Sequence, residues 1–430
     1  MLESAQILIL GAGLSGLSTA RHLGAGCRVI EREGEPGGLA RTRWERGYGF
    51  DYTGHLMHLR DPSIRRWVTR LVRGESTWIQ RRSRIWSHGV YTRYPYQANT
   101  FGLPPQVAHE CLMGFLEARD ADVEIRSFED FILAHFGAGF ARHFMIPYNT
   151  KIWGVHPREM TPAWCDRFVP VPDLGDVIAG AVGMHEKEMG YNASFLYPDA
   201  GIGELTRRIA GDVERKVDVE YGQEVRAVAT RSKMVRLGRN RWMGYDALVS
   251  TLPLDTLVRR IEDAPKWVRE SAARLRVRSL RYLDVALREP AGTLWHWTYV
   301  PDLRVPFYRV GSYSNFSSQL VPEGGGSLYV ELTSPRSRPL SKLLSGVVPH
   351  LVEMGIIRRR RDIRFARLRV IPHAYVVYDH GWERHRERLL GWLRKRDIHS
   401  IGRYGDWNYS AMEDALIAGR ETARVLKETR

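Results

Sequence analysis

Three stretches of the 430-residue chain predict an α/β fold, in which a discontinuous Rossmann-type domain carries an inserted helical domain and an inserted antiparallel β-sheet domain. "ILILGAGLSGLSTARHL" at 7–23 is an apolar strand, a glycine loop and a helix. "YDALVSTLPL" at 245–254 is a second buried strand, far along the chain. "DIHSIG" at 397–402, followed by an apolar helical pattern, is a third piece of the same layer.

Composition sets the bounds. With 43% hydrophobic residues over this length, the chain can bury more than one core. Its first apolar stretch is broken by glycines and lacks a basic leader region and a cleavage site. It therefore reads as neither a signal peptide nor a membrane span, and a cytoplasmic location is the expectation. The three cysteines, Cys27, Cys111 and Cys165, are far apart and form no Cys/His cluster, so no disulfide framework, zinc site or other metal centre is expected. The formal charge of +15 is carried mainly by arginine and favours anionic ligands. The run Arg358 to Arg361 reads as a solvated helix end or loop, with membrane or polyanion contact the weaker alternative. No nucleic-acid module is visible, and no nucleic-acid partner is expected.

The elements follow in order. Residues 6–60 read as strand, glycine loop, helix and short strand, then "GEPGGLARTR" and "GYGFDYTGHLMH". Residues 61–194 read as mainly helical, with amphipathic stretches such as "PSIRRWVTRLV". A turn into a helix and short alternating segments fill 195–260. From 261 to 365, "RYLDVALRE", "LWHWTYV", "VPFYRVGSYSNF" and "GSLYVELT" alternate as an antiparallel sheet does. The nucleotide domain is thus expected at 1–60 with 195–260 and 366–430, the helical insertion at 61–194 and the antiparallel substrate domain at 261–365.

Gly11, Gly13 and Gly16 form GxGxxG between strand and helix, where missing side chains allow the tight turn and let a pyrophosphate approach the helix N-terminus beside Ser15. Glu31, about twenty residues on, is placed to accept ribose hydroxyls. "EREGEPGGLARTR" at 31–43 resembles the ExxxxxGG extension of FAD-containing amine oxidases, protoporphyrinogen oxidases, phytoene desaturases and sugar-nucleotide mutases, which implies FAD rather than NAD. The Gly37–Gly38 pair would let backbone pass close to the ribityl and pyrophosphate groups.

Four further segments narrow the resemblance. "YPYQANTFGLP" (94–104), "PYNTKIWGVHPREMTPAWCDR" (147–167), "VPFYRVGSYSNFS" (305–317) and "GRYGDWNYSAMED" (402–414) are similar to signatures of the UDP-galactopyranose mutases. The resemblance implies a redox-neutral isomerase that interconverts pyranose and furanose forms of a nucleotide-diphosphate sugar. In that family the N5 atom of the reduced flavin attacks the anomeric carbon as the diphosphate leaves, and an adduct at N5 allows ring opening and reclosure. Arg309 and Arg167 match the arginines that hold the diphosphate. Tyr148, Trp153, Tyr299, Tyr375 and Tyr409 match aromatic positions along the nucleotide path, and Gln97 and Asn149 match polar positions of the pocket. His55 matches the histidine beside the flavin.

FAD contacts are implied for Gly11, Gly13, Ser15, Gly16, Glu31, Arg32, Gly38, Leu39, His55, Leu56, Gly402, Arg403, Ala411 and Met412. Of these, Arg403 would meet the pyrophosphate, and the backbone at Ala411 and Met412 would approach the flavin, while Tyr409 faces the other way. NAD(P)H is open as the reductant, although no second dinucleotide fingerprint is visible.

Plainer readings stand beside these. Arg309 could be a surface residue of a strand, Arg167 a helix-end ion pair, Tyr148 and Trp153 core aromatics, and His55 a structural histidine. The same N-terminal motifs would serve an FAD oxidase or desaturase, which wants an apolar tunnel and often a lysine near the flavin, or a relative that keeps FAD as a structural element. Ala411 and Glu413 stand where many bacterial mutases carry acidic residues, which leaves open a sugar other than UDP-galactopyranose.

Overall fold

The computed structural model describes residues 3–121, 124–184, 193–333 and 338–429, apart from the side chains of residues 166 and 167. Its strands, in chain order, are β1 (Glu3–Leu10), β2 (Cys27–Ile30), β3 (Thr42–Glu45), β4 (Tyr48–Asp51), β5 (Ser76–Gln80), β6 (Ser83–Ser87), β7 (Val90–Arg93), β8 (Ser194–Pro198), β9 (Asp218–Glu220), β10 (Val225–Ala229), β11 (Met234–Leu237), β12 (Arg241–Ser250), β13 (Val277–Leu287), β14 (Trp297–Tyr299), β15 (Phe307–Ser312), β16 (Gly326–Leu332), β17 (Ile363–Val376) and β18 (Ile398–Ser400). No described helix is long and apolar enough to cross a membrane.

The first sheet runs β10-β11-β12-β1-β2-β9, with β18 also on β12. Its centre is parallel: Leu10 lies opposite both Ile30 and Ser250, and β18 runs parallel to β12. Leu8, Ile9 and Leu10 are completely buried, as a continuous apolar run must be when both faces of a parallel strand are covered. Segments near residues 10, 250 and 400 therefore end side by side at one edge of this sheet.

Glycines close that arrangement. Gly11 has φ +106°, and a Cβ there would sit 2.1 Å from Thr251 Oγ1. The first helix (Leu14–Leu23) packs against the final one (Met412–Glu428), and a Cβ on Gly419 would meet the Ser15 carbonyl at 2.5 Å. The Ser18 hydroxyl donates to the Leu416 carbonyl across the same seam.

The second sheet, β17-β13-β16-β15-β14-β6-β7, differs from expectation at both ends. The 61–194 segment, expected to be mainly helical, also contains β5, β6 and β7. The local cause is a His88–Gly89 turn with φ +53° and +76°, conformations that suit a two-residue hairpin. At the other edge, β17 runs on from 363 to 376, past the point where the sequence predicts a return to the nucleotide layer, and pairs along β13. Helices cover the β6–β7 end. Among them Phe128–Phe140 begins with a reciprocal cap between Ser127 and Asp130, and Ile146–Trp153 follows it. All three cysteines are buried and none of them is in a disulfide, and the Arg358–Arg361 run is an exposed turn held by Arg359 on Asp362.

The helix seam generates a test. Gly419→Leu is expected to destabilise the fold by about 1–3 kcal/mol or more through overpacking. Gly211→Ala, where a Cβ meets nothing within 4 Å, is expected to be neutral or to stabilise by about 0.4–1 kcal/mol. Thermal melts of both variants check this, and equal melting points would contradict the close approach.

Candidate active site

The glycine loop and the segment after β2 form a cradle. Gly37 N–H donates to the Ala12 carbonyl at 2.8 Å, and Gly38, at φ +60°, faces Gly13. Nothing lies within 4 Å of where a Gly13 Cβ would be. Glu31 is almost fully buried and accepts from Ala12 N–H at 2.7 Å and Glu33 N–H at 2.9 Å, so its carboxylate braces the loop at the end of β2. Gly16 is packing: its Cβ would lie 1.9 Å from the Gly11 carbonyl.

Both the first and the final helix start without a side-chain cap, at Gly13 and Ala411. At the first helix, which has no acid in its first turn, the N–H groups and the positive dipole end are left for a ligand, whereas at the final helix Asp414 already takes the Ala411 N–H. Gly402, at φ +80°, lies over buried Ser15, where any side chain would meet the serine hydroxyl at 2.5 Å. Leu39 and Leu56 are half-buried nearby in the chain. Open space above Gly13, the uncapped start of the first helix and a buried acid at the end of β2 together fit a dinucleotide such as FAD. Arg32, next to Glu31, has a side chain that is 66% exposed and pairs with Glu33.

One face of the second sheet supplies the charged cleft. Register places Arg309 opposite Glu331, and Glu331 opposite Tyr282. Arg309 binds Glu331 side-on, Nε to Oε2 at 2.8 Å and Nη2 to Oε1 at 2.6 Å. The carboxylate is fully buried and holds the arginine well above its usual pKa against the cost of burial. Arg309, matched in the sequence to a diphosphate-holding arginine, is thus part of a neutralised pair and not a surface residue of its strand.

Two other arginines in this region have no carboxylate partner among the described residues. Arg403 donates from Nη1 to the Ser410 carbonyl at 2.6 Å and from Nη2 to the Ala374 carbonyl at 3.2 Å. It also lies 4.5 Å from the Tyr409 ring centre. Burial works against its charge, and the hydroxyls of Tyr404, Tyr409 and Tyr375 outweigh burial. Arg278, missed at the sequence level, donates to the Thr333 carbonyl at 2.7 Å and keeps a buried Nε without a partner. Burial lowers its pKa. Its signal was the alternation of β13, which sets it opposite Tyr375.

Aromatic rings join these cations. Tyr148 meets Tyr299 edge-on at 5.5 Å, Trp153 meets Tyr375 and Tyr409 at 5.7 Å each, and Tyr375 stacks on Tyr409 at 6.4 Å. Burial raises the phenols of Tyr148, Tyr299 and Tyr375, so they are hydrogen-bonding hydroxyls and not phenolates. His55 feels both Arg403 and Arg309, and burial first, then those cations, push its pKa down to about 4. Its Nδ1 is buried without a protein partner.

Several expected residues have other employment. Asn149 donates to the Met145 carbonyl and accepts from Trp153 Nε1 at 3.2 Å, an arrangement internal to their helix. Gln97 donates to the Pro170 carbonyl at 2.7 Å. The side chain of Arg167 lies outside the described residues. Arg403 and Tyr409, expected to face opposite ways, lie against each other, because both flank the loop that ends at Ala411. Met412 opens the final helix, and Asp414 takes the Ala411 N–H at 2.7 Å. Glu413, noted only as a departure from a family pattern, is buried and binds the 60–61 backbone and the Arg60 guanidinium. It anchors the final helix to the start of helix Pro62–Leu71.

Cradle and cleft together define a dinucleotide-dependent enzyme class with a flavoenzyme fold. A model of NAD(P)-binding Rossmann-like domains matches residues 9–71, and that of flavin containing amine oxidoreductases matches 176–427. The chain belongs to the flavin containing amine oxidoreductase family, which supports FAD as its cofactor. It is similar to the crystal structure of reduced UDP-galactopyranose mutase, with 25% identity, a TM-score of 0.92, and coverage of 99% of this chain and 96% of that one. At the level of fold it also resembles putrescine oxidase (16% identity, TM-score 0.67, all of both chains). A CLA-producing fatty acid isomerase from P. acnes is comparable (14%, 0.66, 99% of each chain).

The depressed pKa of His55 gives a pH dependence. The unfolded chain protonates this residue near 6.5 and the folded protein near 4. Its contribution to stability is therefore complete above 6.5 and falls away as pH drops toward 4. Urea midpoints measured from pH 7 to 4 should fall more steeply for the wild type than for His55→Gln. Parallel curves would mean that His55 is protonated in the folded state.

Proposed function

We propose that the protein is a flavin-dependent, redox-neutral mutase that interconverts the pyranose and furanose forms of a nucleotide-diphosphate sugar. The observation that carries this reading is the pair of arginines without carboxylates, Arg403 and Arg278, beside phenols and the Arg309–Glu331 pair. A buried cation without a counter-ion is unfavourable unless a ligand supplies one. A diphosphate does so, and tyrosine hydroxyls donate to its oxygens without adding charge. A cationic amine substrate would be repelled by the same groups. The likeness to reduced UDP-galactopyranose mutase supports the reading as well.

FAD would be held by Gly11, Gly13, Ser15, Glu31, Gly38, Leu39, Leu56 and Gly402, with the uncapped helix start at Gly13 turned to its polar groups. In its reduced form it supplies the electron-rich ring nitrogen that attack on an anomeric carbon requires. Arg278 and Arg403, the latter moved here from the FAD pyrophosphate that the sequence resemblance gave it, take up the charge that grows on the diphosphate as its bond to the sugar loosens, an effect larger in the transition state than in the bound sugar. The Arg309–Glu331 pair supplies hydrogen-bonding geometry beside them. Tyr148, Tyr299, Tyr375 and Tyr409 orient the phosphates and exclude water, and Trp153 backs the last two. His55, neutral, offers Nδ1 as a hydrogen-bonding atom that adds no charge. NAD(P)H is the proposed source of the initial reduction, with no net consumption thereafter.

Anaerobic protein reduced with dithionite and given a panel of nucleotide sugars should convert one of them between ring forms, with reductant unconsumed and no activity in the oxidised state. Absence of sugar conversion together with rapid oxidation of an amine or porphyrinogen would replace the mutase by an oxidase. Arg403→Gln leaves no carboxylate unpaired. It is expected to raise the barrier by about 2.7–4 kcal/mol, as loss of one oxyanion donor does. Unchanged single-turnover rates would make the arginine structural.

A further inference from the structure

A cavity of about 470 Å³ opens at the outer side of β3, lined among others by Arg41, Arg43, Arg207 and Arg369, with Glu35 and Glu45. It borders the cofactor cradle, because Glu35 and Pro36 belong to the segment after β2, but its lining contains none of Gly11, Gly13, Glu31 or Gly38 and no residue of the charged cleft. Three of its arginines have acidic partners. Arg41 lies 3.5 Å from Glu35, Arg207 lies 2.8 Å from Glu204, and Arg369 is 3.1 Å from Asp284 and 3.4 Å from Glu45. Arg43 has no ion-pair partner among the described residues. Its guanidinium lies 3.8 Å from the Tyr52 ring centre and donates to the Tyr52 hydroxyl, which also accepts from Arg41 at 3.2 Å.

A second group in the same neighbourhood is unsatisfied. Tyr282 is fully buried, its hydroxyl has no protein partner, and it feels the charges of Arg43 and Asp284. The cavity lining itself therefore combines Arg43, which has no ion-pair partner among the described residues, with three guanidinium groups that each already meet an acid, while Tyr282 lies behind it and outside its lining. Bidentate guanidinium donors match oxyanions in geometry as well as charge. Glu35 and Glu45 offset Arg41 and Arg369, so the charge left for a ligand is centred on Arg43, with Arg207, paired with Glu204, beside it.

We infer that this cavity binds a phosphate group, either free or as the end of a phosphorylated small molecule, at Arg43 and Arg207. The site is separate from the proposed active site but joined to it by covalent and hydrogen-bonded steps. Arg41 Nε donates to the Gly38 carbonyl at 2.8 Å, on the cofactor turn, and Tyr52 precedes His55 by three residues.

Isothermal titration of the full-length, flavin-loaded protein with inorganic phosphate, and in a second arm with ribose 5-phosphate, tests this at constant ionic strength. Saturable binding is expected. Arg43→Gln and Arg207→Glu should each weaken it by about tenfold or more, the loss of a charge-assisted hydrogen bond, while Arg403→Gln leaves it unchanged. Tighter binding of the sugar phosphate identifies a phosphorylated metabolite, and equal binding identifies free phosphate.

Absence of saturable binding overturns the inference, as does wild-type affinity in both cavity variants or its loss in Arg403→Gln. Loss of flavin absorbance in a well-folded Arg43→Gln variant would also overturn it, by assigning Arg43 to the cofactor. Arg207 is half-exposed and pairs with Glu204, so its variant gives the same readout should Arg43→Gln fail to fold.

Discussion

The seam between the first and last helices is the constraint on which the rest depends. Gly419 must lie against the Ser15 carbonyl and Gly402 against the Ser15 side chain, so two segments nearly four hundred residues apart become one wall. That contact brings the uncapped start of the final helix to the same edge of the sheet as the glycine loop. It also carries Arg403 and Tyr409 inward, since both sit on the short connection between β18 and that helix, Arg403 in its helical turn Gly402–Gly405. Buried Glu413 then fixes the helix to the 60–61 backbone, which lies just past His55. A single packing requirement thereby couples cradle, histidine and cleft.

The distribution of charge over the cleft follows from burial. A carboxylate as deeply buried as Glu331 is tolerable only because Arg309 meets it with two parallel hydrogen bonds. The pair adds hydrogen-bonding geometry to the cleft with little net charge. Arg403 and Arg278 are instead held by carbonyl oxygens and by phenols, which solvate a guanidinium partially and leave its charge uncancelled. The cleft is consequently cationic without being rigidly paired, a state suited to an anionic group that enters and leaves.

Much of the fold was legible because its signals are local. An unbroken apolar strand before a glycine loop has few alternatives, and alternation between 280 and 332 marks strands by period. The hairpin at 83–93 was legible too, in the two residues between Ser87 and Val90, but helical patterns around it masked the signal. The length of β17 was not legible, because a strand continues or stops according to the partner beside it, and β13 runs alongside it almost to its end. In the site, glycine positions and tyrosines could be read by motif. The partner of Arg309 could not, since Glu331 is 22 residues away and is brought opposite only by antiparallel register.

By itself, the sequence determined where backbone must turn tightly or come close, where apolar runs must be buried, and which side-chain types are present to meet a nucleotide. Those properties belong to single residues and their immediate neighbours. Only the tertiary structure decided which arginines remain cations in effect and which are cancelled, that Arg403 and Tyr409 share one side of the loop, and that Asn149 is spent within its own helix. Charge compensation and hydrogen-bond satisfaction are properties of pairs, and those pairs exist only once the sheets have set their register and the two ends of the chain have met.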